Sequence, residues 1–288
     1  TLFPYTTLFR SRAKLKGYTW KTFLLEIIML LLCCIIVLPF YYLVISIFKT
    51  PREMGMNPLG LPEALYLENF KNAWAQIHFI RAFCNTLILT FSTLVVVILF
   101  GSMSAYAVAR RKSRFYKLVM LYFLLGFMVP FQTTMVPLYQ QMQRFHLINK
   151  LYGLIVLSTG SCVFAFFMYQ GFINTVPYEL EESAIIDGAG PLRVFFQITF
   201  PLLKPITVTM TIFHVMGTWN DFVTPFLFLH TRNNATLMLE MYRGVGEFQS
   251  DWPLMMTTMV LIMAPLVIFY IFAQRYIIDG LTSGAVKG

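Results

Sequence analysis

Charged residues are scarce in this sequence: they make up 12% of its 288 positions, while 58% of the positions are hydrophobic. This balance excludes an ordinary soluble domain and is typical of a polytopic membrane protein. The formal net charge is nevertheless +9. Because the basic residues stand in short clusters beside apolar segments, they indicate an orientation in the membrane rather than binding to nucleic acid.

The sequence also lacks the motifs of several enzyme classes. It contains no GxxxxGK[ST] phosphate loop, no GxSxG elbow and no HExxH pair, which disfavours a Walker-type ATPase and a membrane enzyme. Its cysteines show neither disulfide nor zinc spacing. We therefore predict no catalytic residue, no metal and no cofactor. The cysteines are Cys33, Cys34, Cys84 and Cys162.

Six apolar segments are long enough to cross the hydrocarbon core of a bilayer, which takes about 20 helical residues. The third segment contains Pro130 and Pro137, which we expect to kink it. The sequence therefore predicts an all-α protein with a six-helix membrane domain over residues 23–277. The predicted spans are residues 23–48, 86–109, 118–138, 151–172, 202–229 and 253–277.

Two short tails flank this domain, residues 1–22 and residues 278–288. Residues 1–11 have no initiator Met and resemble a translated sequencing adaptor or a truncated start, so we interpret them as a non-native segment and exclude them from fold prediction. Most of the 22 Lys and Arg residues fall on one side of the membrane if both tails are cytoplasmic. By the positive-inside rule, the loop at 174–204 is then cytoplasmic and the polar segment 230–252 is external.

The loop at 174–204 carries an unusual share of the acidic residues. Residues 178–186 predict a short helix with Glu179, Glu181 and Glu182 in its first turn, where carboxylates favour the helix dipole. Its apolar residues lie on one side and would contact either a partner or their own subunit. These residues are Leu180, Ala184 and Ile185.

Two glycines, Gly188 and Gly190, end this helix, because glycine adopts the positive φ that a tight turn demands. Pro191 suits the first turn of a second helix, where its missing N–H costs nothing. Pro201 and Pro205 then mark the entry to the fifth span. Two helices joined by a glycine elbow at a membrane face form a shape suited to docking on a partner.

This loop resembles the cytoplasmic loop of the permease subunits of ABC importers. The family carries Glu-Ala-Ala, then Gly, Ile and Pro at fixed spacing, and Asp-Gly-Ala in its sugar-importing branch. Ser183 departs from the commonest form but remains small. The tail also resembles that of the second, maltose-type sugar permease. The matching loop positions are Glu182, Ser183, Ala184, Asp187, Gly188, Ala189, Ile198 and Pro201.

The resemblance implies a type I importer permease that forms half of the path for a sugar or sugar derivative, in a bacterial inner membrane. It implies as partners a second permease subunit, two ATP-binding subunits and an extracytoplasmic solute-binding protein. ATP hydrolysis is then expected in those separate subunits. Two alternatives remain: another imported solute, such as glycerol phosphate or a polyamine, or an ion-coupled secondary transporter with charges in several spans.

The fifth span carries polar residues every three or four positions, which places them on one helix face. An acid within a span normally faces the bundle interior or a water-filled path. Asp221 therefore either lines the path or bonds to a neighbouring helix, and a proton relay with His214 is a third possibility. Residues 219–222 also resemble a Trp-Asn-acid-Phe motif of the family. Besides Thr207 on this face, the path candidates are Thr211, His214, Thr218, Asn220 and Asp221.

Overall fold

The computed structural model describes residues 19–111, 113–247 and 251–285, with side chains described for all of these except 245–247 and 277–285. Outside these ranges lie residues 1–18 of the predicted N-terminal tail, residues 248–250 of the predicted external segment and the last three residues of the C-terminal tail. Lys112 also lies outside them; it belongs to the basic cluster at 110–114, between the second and third predicted spans, which was interpreted as a cytoplasmic anchor. Within them, every regular element is helical. The chain divides into two compact units, residues 1–66 and 67–288.

The first unit contains helix α1 (Trp20–Ser46) and the short helix α2 (Pro51–Met56). Thr19 caps α1, its Oγ1 accepting a hydrogen bond from the N–H of Thr22 at 3.4 Å. Residues 20–41 are exposed, and the most apolar window of α1 has a mean hydropathy of 2.9. A helix of this length and hydropathy can cross the hydrocarbon core of a bilayer, which agrees with the predicted first span.

The second unit contains the remaining helices. Two of them are irregular: α7 includes a 3₁₀ turn at Ser158–Ser161, and α9 includes a π turn at Phe195–Thr199. A further 3₁₀ turn, Arg232–Asn234, precedes α12. The helices are α3 (Glu68–Gln76), α4 (Phe79–Ala109), α5 (Arg114–Met128), α6 (Phe131–Arg144), α7 (Leu151–Ile173), α8 (Glu179–Ile186), α9 (Pro191–Leu202), α10 (Lys204–Asn220), α11 (Val223–Phe228), α12 (Leu237–Glu247) and α13 (Trp252–Ala285).

The second, fourth and sixth predicted spans correspond to α4, α7 and α13, each long and apolar enough to cross a membrane. The third is broken rather than kinked, since α5 and α6 meet at 99°. Val129 is extended there because the following Pro130 disfavours a helical conformation in the residue before it. Pro137, by contrast, lies inside α6.

The fifth predicted span, residues 202–229, also differs from a single helix. Helices α9 and α10 meet at 77° across Leu203, and α10 ends at Asn220. Asp221 is extended, with φ −71° and ψ 111°. Its Oδ1 accepts a hydrogen bond from the N–H of Thr224 at 3.1 Å. This bond stabilises the N-terminus of the separate helix α11, which begins at Val223.

Helix α4 is the central element of the second unit, because it packs against α7, α10 and α12. Gly101 makes its close approach to α7 possible: a Cβ at this position would lie 2.6 Å from the Cβ of Ala165. The buried residues of α4 recur every three or four positions, as expected for one helix face. They include Ala82, Thr86, Leu89, Thr93, Val97, Gly101 and Ala105.

The segment 230–252, predicted to be an external polar connection, is in part a buried element. Leu237 and Leu239 are at most 1% exposed, and Leu237 packs in one core cluster with Trp219 of α10. Asn85 of α4 donates hydrogen bonds to the carbonyls of Asn233 and Ala235, both at 2.9 Å. The polar composition of this segment did not indicate that it contains an amphipathic helix, α12, which packs against the bundle.

Candidate functional site

A cavity of about 790 Å³ lies within the second unit, beside α10. Its walls come from helices α4 to α7, from α10 and from α11. Aromatic side chains share this lining with hydroxyl, amide, imidazole and carboxylate groups. The aromatic residues are Phe127, Phe131, Phe145 and Phe164, and the polar ones include Thr93, Thr134, Gln141, Ser158, Thr159, Ser161, His214, Thr218, Asp221 and Thr224.

The cavity brings together three of the five path candidates, His214, Thr218 and Asp221. Thr211 and Asn220 are not among its lining residues. Thr211 donates to the carbonyl of Thr207 at 2.8 Å, and Asn220 donates to that of Met216 at 2.9 Å. These bonds use the hydroxyl proton of Thr211 and one amide N–H of Asn220 within the helix itself.

Thr207, on the same predicted stripe, serves a contact between helices instead. Its hydroxyl accepts a hydrogen bond from Tyr169 of α7 at 3.1 Å, and Tyr169 is fully buried. The polar face of α10 therefore differs along its length: Thr207 contacts α7, whereas His214 and Thr218, with Asp221 after the helix, line the cavity.

His214 joins the wall of the cavity to α4. Its Nε2 lies 2.8 Å from Oγ1 of Thr93 and 3.3 Å from Oγ1 of Thr218. Thr93 donates its own hydroxyl proton to the carbonyl of Leu89 at 2.8 Å, so its oxygen is available to accept from an Nε2–H. This places α4 and α10 in direct polar contact at the cavity.

The second candidate site is the 174–204 loop, where the structure has the predicted helix, elbow and helix. Gly188 has φ +83°, the left-handed conformation expected at the elbow. Gly190 does not, since its φ is −71°. Gly190 precedes α9, which begins at Pro191 as the proline preference for a first turn predicted.

The residues matching the importer loop are mostly accessible. Glu182, Ser183, Asp187, Gly188 and Pro201 are exposed, while Ala184, Ala189 and Ile198 are half-buried. The apolar face of α8 is also open, with Leu180 47% and Ile185 50% exposed. About half of each of these side chains is therefore accessible to a partner.

Sequence reasoning missed the residue that does anchor α8. Glu181 is 1% exposed, unlike its neighbour Glu182. Its Oε1 accepts hydrogen bonds from Nε and Nη2 of Arg110, at 3.0 and 2.8 Å. The sequence pattern of α8 did not indicate that Glu181 is buried in an ion pair. Its partner Arg110 lies 71 residues earlier, in a basic cluster that was predicted only to orient the chain in the membrane.

Comparisons with known proteins agree on one protein family. Residues 97–283 match the family described as binding-protein-dependent transport system inner membrane component. The probable starch degradation products transport system permease protein AmyC of Thermoanaerobacterium thermosulfurigenes is 34% identical over 86% of this chain and 91% of that protein. The melibiose/raffinose/stachyose import permease protein MelC of Bacillus subtilis is 36% identical over 87% and 91%.

A third similar protein, the multiple sugar-binding transport system permease protein MsmG of Streptococcus mutans, is 34% identical over 94% of this chain and 98% of its own. Among solved structures, a bacterial ABC transporter chain involved in the import of the acidic polysaccharide alginate aligns over 90% of this chain and 98% of its own. The TM-score is 0.78 at 17% identity, which establishes a shared fold.

Proposed function

Given that the chain belongs to the family of binding-protein-dependent transport system inner membrane components, we propose that it forms half of the path through which an ATP-driven importer carries sugars. The chain is a transport component of the membrane and not an enzyme. The proposed cargo is a neutral sugar or oligosaccharide. The similar permeases are named for starch products, for melibiose, raffinose and stachyose, and for multiple sugars.

The observation that carries this proposal is the mixed lining of the cavity. Hydroxyl, amide and carboxylate groups suit the donors and acceptors of a sugar, and the aromatic rings suit its apolar faces. The lining contains Asp221 but neither Lys nor Arg. Glycerol phosphate would call for cationic groups and a polyamine for several carboxylates, so both alternatives fit this cavity less well.

Coupling to ATP hydrolysis is proposed to run through α8. Its exposed Leu180, Ile185 and Glu182 would seat in a cleft of an ATP-binding subunit, with the carboxylate meeting a basic or hydrogen-bonding group. A second permease subunit would complete the path, a second ATP-binding subunit would bind that permease, and the solute-binding protein would deliver the sugar. Transport requires that α8 dock in both states of the ATPase yet fit one state better.

The orientation proposed for this assembly follows from the basic residues. Both termini and α8 lie in the cytoplasm, where the ATP-binding subunits are, and the segment 230–252 lies outside, where the solute-binding protein arrives. The exposed Arg111 and Arg114, with Lys117, would then contact lipid headgroups beside α8.

Uptake by cells that express the importer with its partner subunits tests this function. Labelled raffinose and maltotriose serve as neutral probes, with glycerol phosphate and putrescine as competing substrates. We expect sugar uptake to stop when ATP is depleted. It should continue when the proton gradient is collapsed while ATP is maintained. Uptake of only glycerol phosphate or putrescine would replace the sugar assignment, and dependence on an ion gradient alone would indicate a secondary transporter.

A further inference from the structure

A buried polar cluster joins α8 to the end of α4. Glu181 receives hydrogen bonds at Oε1 from Arg110 and from Thr199 (3.0 Å), and at Oε2 from Tyr106 (3.1 Å). Arg110 also donates to the carbonyl of Val176 at 3.0 Å. A buried carboxylate without hydrogen-bond donors would destabilise the fold, but both oxygens of Glu181 have donors, one of which is the cationic Arg110.

This cluster, named here the α4–α8 link and made of Tyr106, Arg110, Glu181 and Thr199, connects three elements. Thr199 lies at the end of the π turn in α9, where Phe200 N–H bonds to the carbonyl of Phe195. A π turn inserts one extra residue and so changes which side chains of α9 face α8. Phe195 packs on the ring of Tyr106, with centroids 5.2 Å apart. Helices α8 and α9 are therefore both held to the end of α4 at one point.

The middle of α4, more than four turns before Arg110, lines the cavity. Thr93 lines the cavity and contacts His214, and it precedes Arg110 by 17 residues, or roughly 25 Å of helix. A movement of α8 that pulls on Arg110 would tilt this single helix. That tilt would shift Thr93 against His214 and so change the cavity wall.

We propose that the α4–α8 link transmits the displacement of α8 to the cavity, with Glu181 as its positioning residue. This inference rests on the proposed function. The two adjacent carboxylates have separate tasks: Glu182 is exposed toward the ATP-binding subunit, and Glu181 faces the chain's own spans. Docking and transmission can then be separated by substitution.

The test compares Glu181→Gln with Glu179→Gln, an identical change on the exposed side of the same helix. Both are purified with the ATP-binding subunits, and hydrolysis is measured with and without solute-binding protein loaded with raffinose or maltotriose. Glu181→Gln should retain the ATP-binding subunits as Glu179→Gln does. Its stimulated hydrolysis and its sugar uptake should fall roughly tenfold, as expected when coupling is lost.

If loaded binding protein stimulates ATP hydrolysis by the Glu181→Gln complex as much as by the Glu179→Gln complex, the inference is overturned. Should Glu181→Gln fail to assemble, Tyr106→Phe decides, because it removes one hydrogen bond and leaves the ion pair in place. Reduced stimulation with full retention of the ATP-binding subunits supports the link, and wild-type stimulation overturns it. A wild-type complex that loaded binding protein does not stimulate would overturn the proposed function itself, and with it this inference.

Discussion

At the scale of single residues, the elbow of the 174–204 loop depends on backbone conformation and not on the space around it. Gly188 has φ +83°, yet no atom lies within 4 Å of where its Cβ would be. Gly188→Val should therefore strain the elbow by about 1–3 kcal/mol and lower binding-protein-stimulated ATP hydrolysis, with Gly188→Asn less affected. Gly190→Val, at φ −71°, is the matched control. Equal loss in both valine variants would contradict the role of φ.

Asp221 is the other residue whose role a substitution can resolve, because it both lines the cavity and caps α11. Asp221→Asn keeps an oxygen for the N–H of Thr224 but removes the charge, whereas Asp221→Ala removes both. If the carboxylate binds sugar, both variants should lose uptake while the complex with the ATP-binding subunits stays intact, although Ala also loses a cap worth about 1 kcal/mol. Normal uptake by Asp221→Asn would assign the residue to the cap, and Asn220→Ala is the control outside the cavity.

At the scale of elements, the packing of α4 on α7 depends on Gly101. A methyl group there would meet Ala165 at 2.6 Å, whereas at Gly126 in α5 it would meet nothing within 4 Å. Gly101→Ala should therefore separate the two helices and destabilise the purified protein by about 1–3 kcal/mol. Thermal unfolding followed by size-exclusion chromatography measures this, with Gly126→Ala as the control. Equal Tm values for the two variants would contradict the close packing.

At the scale of the whole molecule, the proposed orientation predicts which loops face the cytoplasm. Ser113 and Asn233 are both exposed, at opposite sides of the proposed topology. In a background without the native cysteines, Asn233→Cys should react with an impermeant thiol reagent in intact cells. Ser113→Cys should react only after the membrane is permeabilised. Labelling in the opposite pattern would reverse the topology.

Several features could be predicted because they depend on residues close in the chain. The apolar lengths of α1, α4, α7 and α13 identify membrane spans by composition alone. The elbow follows from local backbone chemistry, since few residues other than glycine adopt a left-handed φ and proline favours a first helical turn. An irregularity at Pro130 was predicted, but as a kink within one span, whereas the structure has a break of 99° between two helices.

Other features depend on residues far apart in the chain, and only the tertiary structure decided them. Asn85 and Ala235, which are joined by a hydrogen bond, lie 150 residues apart, so composition could not show that residues 233–239 pack on the bundle. Glu181 and Glu182 look alike in sequence but point roughly 100° apart on a helix with 3.6 residues per turn. The sequence by itself determined that this protein spans the membrane and carries a loop of two short helices joined at a glycine. The tertiary structure decided which carboxylate is held by Arg110 and which remains exposed, because an ion pair forms only where the fold brings its partners within contact distance.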